Sequence, residues 1–184
     1  FKSKKKHFSG TSRSIEAVKN LNFSKLVVVF GDEPLIRPDE IKYFTDKIID
    51  DKKSNIWNAT INIKNTSEFK DISIVKCFLD KDNNIFNLKR FYKFDSTLNK
   101  KVHKSVGLIA FKSSILKKVS NLKKTNNEKI EQLNFLNDKQ FLLKSIKLKY
   151  NFFSINTDTD YKKVKYVFKF NKIQKKISRT YKTK

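Results

Sequence analysis

Apolar residues along this chain fall into short runs that obey two alternating periods, one of two residues and one close to three and a half. Ile15, Val18 and Leu21 recur at helical spacing over 14–21. Leu26 to Phe30 then forms a continuous apolar run, mostly β-branched, which predicts a short strand buried on both faces like the centre of a parallel sheet. Pro38 opens a predicted helix that ends near Asp51, with Asp39 and Glu40 in the first turn and Ile41, Phe44 and Ile48 as its buried stripe. Alternation at Trp57, Ala59, Ile61 and Ile63 predicts a strand over 56–63, followed by a helical turn over 67–71. Residues 73–79 and 85–91 read as a hairpin closed by Asp80 to Asn84.

Residues 92–104 lack periodicity and read as a loop, before a strand over 106–112 and a helix over 113–119. A helix over 128–134 would bury Ile130, Leu133 and Leu136 and present Glu128, Glu131 and Gln132 on another face. A last strand over 145–153 precedes a helix opened by Asn156 to Asp160, with Tyr161, Val164 and Phe168 inward. Residues 169–184 are a basic tail, and 1–7 a basic and mobile start. Strands alternating with helices predict an α/β domain over 1–168 with flanking helices and a β-hairpin insertion.

The strand at 26–30 ends abruptly in Gly31-Asp32-Glu33-Pro34, which puts two carboxylates at its carboxyl end. Ligands of open α/β sheets bind at that end. A carboxylate there suits magnesium, which takes one or two carboxylates together with substrate phosphates. The same four residues also suit a plain strand-ending turn. Ser9 to Ser12 supply hydroxyls and N–H groups at a helix start, as a cap or an anion site.

Composition narrows the classes. A chain of 184 residues with 17 Phe and 6 Tyr has enough apolar mass for one packed domain. The net charge of +24 suggests polyanions as partners, but the lysines are spread through every segment and no aromatic-basic recognition motif recurs. Non-specific polyanion binding is expected in either case. A single cysteine, Cys77, excludes an internal disulfide, and two histidines offer no zinc set, so a reducing cytoplasm is the expected location. No apolar stretch approaches the ~18 residues that a membrane span needs. A start at Phe1 and the absence of Met lead us to expect a longer parent.

Gly31-Asp32-Glu33-Pro34-Leu35-Ile36 after its hydrophobic strand resembles the signature of the 3-deoxy-manno-octulosonate (KDO) cytidylyltransferases, the CMP-KDO synthetases. Further segments resemble that family in the same order: His7-Phe8-Ser9-Gly10-Thr11-Ser12-Arg13, the Val75-Lys76-Cys77 strand returning to Arg90, the Gly107 strand, and Glu128 to Asn134. The resemblance covers about His7 to Phe168. It implies a Rossmann-like nucleotidyltransferase sheet lacking its N-terminal βα unit, with CTP and an acidic sugar such as KDO as substrates, Mg2+ as cofactor, and a homodimer. The implied product, CMP-KDO, is a lipopolysaccharide precursor. Carried over residue by residue, Asp32 and Arg90 are catalytic, and Asp32 and Asn156 hold the metal. Ser9, Gly10, Thr11, Arg13 and Gly31 face the nucleotide, and Glu128, Glu131 and Gln132 face the sugar.

Several positions depart from the family pattern. Its second acidic metal ligand is Asn156 here, Phe30 and Phe8 stand where it has Gln, and Ser105 stands in a His place. The alternatives are a degenerate or fragmentary homologue without activity and a basic nucleic-acid-binding protein.

Overall fold

The structure is a computed structural model that describes residues 2–7, 9–93, 101–122, 129–150, 153–173, 175, 176 and 179. Six strands form one mixed sheet in the order β4-β3-β5-β2-β6, with β1 also paired to β5. Helices flank it, as the alternating pattern predicts. The elements are α1 (Gly10–Val18), β1 (Lys25–Val29), α2 (Pro38–Asp50), β2 (Ile56–Asn62), α3 (Thr66–Lys70), β3 (Lys76–Leu79) and β4 (Ile85–Lys89). They continue with β5 (Val102–Lys112), α4 (Leu116–Asn121), α5 (Leu133–Leu136), β6 (Leu143–Lys147) and α6 (Asp158–Phe170).

β5 is the spine of this sheet. Along one edge it pairs with β2 from Asn62↔His103 to Ile56↔Phe111. The opposite edge is shared: β3 takes Val102 to Lys104, and β1 takes Leu108 to Lys112. Ser105 to Gly107 lie between the two, paired to neither ladder. β2 and β6 run parallel, and every other ladder is antiparallel.

Two apolar layers sandwich the sheet. Ile56, Ile109, Phe111, Phe135 and Leu143 lie in one, and Phe44, Ile48, Trp57, Leu108 and Val164 in the other. The period-two reading of β2 assigns Trp57, Ala59 and Ile61 to the second layer correctly, but Asn58 and Thr60 on the other face are buried as well. Asn58 is held by Ser105 and Gln132, and Thr60 by His103 and Ser145. Buried polar groups are tolerated when bonded in this way.

Several boundaries and faces differ from expectation. β1 is not a central parallel strand: among the described residues it has one neighbour, antiparallel β5, and Val29 is 43% exposed. An apolar run gives no sign of whether both edges are covered. α1 begins at Gly10, ahead of the periodic stretch 14–21, because Ser9 and Ser12 form a reciprocal capping box at the helix start that their hydroxyls indicate. Part of the expected loop over 92–104 is strand, since β5 starts at Val102. The helix expected over 128–134 is the four-residue α5 after a turn, with Lys129 at φ 53°, and Glu128 lies outside the described residues. The last strand is shorter than expected, and Tyr161 on α6 points outward at 54% exposure. The start is not loose, because Ser3 and His7 both bond the Glu16 carboxylate.

Phe44 is fully buried, so Phe44→Ala is expected to lower the unfolding free energy by about 3 to 5 kcal/mol. Urea denaturation checks this, with Tyr161→Ala, expected to change it by less than about 0.5 kcal/mol, as the exposed control.

Candidate active site

The gap in β5 between β1 and β3 opens into a cleft of about 670 Å³. Its walls come from the start of α1, the end of β1, the segment before β3, Arg90, Lys104 to Gly107, the turn before α5, and the start of α6. Of the residues singled out in the sequence, Ser9, Gly10, Asp32, Arg90, Glu131, Gln132 and Asn156 line it together. Thr11 is instead buried inside α1 at 1% exposure, and Arg13 and Gly31 are exposed outside the lining. Within α1 the split follows the helical turn: Ser9, Gly10 and Ser12 line the cleft, while Thr11 and Arg13 of the same turn face away from it.

The signature's two carboxylates part company. Asp32 is exposed, and its backbone carbonyl accepts from Ile155 N–H at 2.8 Å, which brings Asn156 beside it. Glu33 turns inward and is 5% exposed. Its Oε1 accepts from Gly107 N–H and from Ser154 Oγ, each at 2.7 Å, while Oε2 is buried without a hydrogen-bond partner. Burial pushes the Glu33 carboxyl above the usual range, against the pull of those two bonds.

Sequence reasoning missed the groups that shape the floor. Lys104 is buried and pairs with Glu68 at 2.5 Å. Lys76, fully buried in β3, donates to the carbonyls of Asp71, Ile74 and Arg90. Burial draws its pKa down to about 8, and three acceptors match the three N–H bonds of an ammonium. Lys76 thereby ties the segment before β3 to the backbone of Arg90. A lone lysine in an otherwise apolar strand was the available signal. His103 and Cys77 are buried and lie outside the cleft lining: His103 is bonded to Thr60, and burial lifts the Cys77 thiol to about 12.

The described lining of the cleft does not share the large basic excess of the chain. Among the described lining residues, Asp32, Glu33, Glu68, Asp71, Glu131 and Asp160 face Arg90, Lys104, Lys129 and Lys163. Acids outnumber bases here, although 42 basic residues face 18 acidic ones overall. No group of three His, Cys, Asp or Glu side chains with metal-binding geometry occurs among the described residues. Asp160 is already engaged, accepting from Thr157 in the α6 capping box. Asp32 and Asn156 share the cleft wall as one carboxylate and one amide, oxygen donors of the type magnesium takes together with phosphates and water. No helix among the described residues is long and apolar enough to cross a membrane.

The fold is a mixed α/β sheet with flanking helices and a cleft where β1 ends beside β5, similar to the nucleotidyltransferase fold of CMP-KDO synthetase. The solved structure of CMP:2-keto-3-deoxy-manno-octonic acid synthetase complexed with CTP superposes with a TM-score of 0.78 at 22% identity, covering 89% of this chain and 69% of that one. The chain belongs to the cytidylyltransferase family, whose model matches residues 2–173. The 3-deoxy-manno-octulosonate cytidylyltransferase of Elusimicrobium minutum is 32% identical over 133 residues, 68% of this chain and 54% of that protein. The enzyme of the same name from Thermodesulfovibrio yellowstonii is 30% identical over 177 residues, 84% of this chain and 68% of its own. The chain spans about half the length of several curated relatives it matches. The family resemblance drawn from the motifs is borne out.

His103 yields a pH prediction. Burial, reinforced by Lys147, draws its imidazole down to about 4 from an ordinary 6.5. The neutral ring is thus favoured in the folded state, so stability present above pH 6.5 is lost as the pH falls towards 4. The loss is expected to reach about 1 to 2 kcal/mol by pH 5 and to shrink in His103→Gln, measured by denaturant unfolding at pH 7 and 5.

Proposed function

We propose that the cleft binds CTP and KDO and transfers CMP to the anomeric hydroxyl of the sugar, releasing pyrophosphate and supplying a lipopolysaccharide precursor. The observation that carries this reading is an acidic cleft at the end of the signature strand in a chain of net charge +24. A site that binds the nucleotide only by lysines would be basic. An acidic one takes a triphosphate together with a divalent cation.

In this reading Asp32 and the Asn156 amide oxygen hold magnesium, which when bound neutralises phosphate charge and aligns the α-phosphate. The first turn of α1, at Ser9 and Gly10, presents backbone N–H groups and the positive end of the helix dipole to the nucleotide. Arg90 bears on the developing phosphate charge, and Glu131 and Gln132 on the sugar hydroxyls. Gln132 already donates to Asn58 at 3.1 Å, which fixes its orientation. Positioning and charge stabilisation suffice for such a transfer.

Asn156 favours a second reading, a homologue that binds the nucleotide weakly and does not turn it over, because an amide offers magnesium no negative charge. Nucleic-acid binding at this cleft is disfavoured by its acidic lining.

Pyrophosphate release from CTP, magnesium and KDO is the deciding assay, run on this chain and on a version extended upstream by its own coding sequence. Turnover in either supports the proposal, and silence in both, with folded protein, overturns it. Asp32→Ala is expected to abolish turnover and to shift stability by less than about 0.5 kcal/mol. Asn156→Asp is expected to tighten magnesium binding by calorimetry; an unchanged affinity would remove Asn156 from the metal site.

A further inference from the structure

Gly107 occupies the place on the β5 edge where neither β1 nor β3 supplies a ladder partner. Its carbonyl accepts from Phe30 N–H at 2.7 Å, but its N–H would be left without an acceptor, which buried backbone tolerates poorly. Glu33 Oε1 fills that role and takes Ser154 Oγ–H on the same oxygen. The fit leaves no spare room: a Cβ on Gly107 would lie 2.8 Å from Glu33 Cγ and 2.9 Å from Phe30 Cβ. Burying a carboxyl group is costly, and an apolar side chain would fill the same space without that cost. The two bonds of Oε1 are what an apolar residue could not supply.

We propose that Glu33 is a positioning residue: by clamping Gly107 on β5 to Ser154 before α6, it fixes Asp32 and Asn156 side by side on the cleft wall. Asp32 is joined to Glu33 by one peptide bond, and Asn156 follows Ser154 by two residues. With Glu33 in place, Ile155 N–H reaches the Asp32 carbonyl at 2.8 Å. Without it, that backbone bond is what remains, among the described residues, to hydrogen-bond the segment after β1 to 153–156. The role is that of Oε1, which is occupied twice, while Oε2 is buried without a hydrogen-bond partner. It rests on the metal-site reading above only for its effect on magnesium.

The test compares Glu33→Gln, Glu33→Ala and Ser154→Ala in the full chain by amide hydrogen exchange at Gly107 and Ile155 and by calorimetric magnesium affinity in the presence of CTP. Glu33→Gln keeps an acceptor oxygen and is expected to stay within twofold of the parent in both. Glu33→Ala is expected to exchange at least tenfold faster at Ile155 and to bind magnesium about tenfold more weakly. Ser154→Ala, which spares the fold if Glu33→Ala does not, should move both in the same direction by about threefold. Unchanged exchange at Ile155 in both alanine variants, or a Glu33→Gln protein as impaired as Glu33→Ala, overturns the clamp. If the parent binds no magnesium with CTP, the metal-site reading fails while the exchange result still decides the clamp.

Discussion

Backbone pairing along β5 is the constraint on which the rest of the molecule depends. One edge of this strand is satisfied by β2 along most of its length, while the other is divided between β3 and β1. A divided edge must leave residues in the middle whose N–H and C=O groups need other partners. Here Ser105 N–H goes to the Val75 carbonyl, Gly107 C=O to Phe30 N–H, and Gly107 N–H to the Glu33 carboxylate. The cleft opens at the place where the two ladders part, so the same geometry that creates an unmet bonding demand also creates the site.

The groups that answer this demand are polar and buried, and each acts as a tie between segments distant in sequence. Glu33 joins β1, β5 and the Ser154 segment, and Lys76 joins three carbonyls across the hairpin. Glu40 accepts the N–H groups of Lys149 and Tyr150, anchoring the start of α2 to the chain after β6. Such ties are expensive to desolvate and specific in direction, so they register one segment against another where apolar contacts would let it slide. The outcome is a cleft whose described lining carries more acidic than basic side chains in a strongly basic chain.

Much of the element order was legible in advance. Period two found β2, the turn at Asp80 to Asn84 found the β3–β4 hairpin, helical spacing found α2 and α6, and Pro38 and Ser9 marked the helix starts that the structure shows. Misreadings cluster where pattern carries no tertiary information. The continuous apolar run of β1 looked central yet has one neighbour among the described residues, and Glu131 and Gln132 before α5 looked helical yet sit in a turn. The site was half legible: Asp32, Arg90, Gln132 and Asn156 do meet, whereas Thr11, Arg13 and Gly31 belong to the right motifs but lie off the cleft lining.

The sequence by itself determined the elements, the strand-end carboxylates and the family, because propensity, capping and motif order are local properties written in consecutive residues. Only the tertiary structure decided that Asp32 faces outward and Glu33 inward. That choice depends on a β5 backbone donor 74 residues away and a hydroxyl 121 away, and no local pattern encodes them. It also decided which acids line the cleft, since Asp32, Glu68, Asp71 and Glu131 are scattered along the chain and meet only when the sheet closes around them.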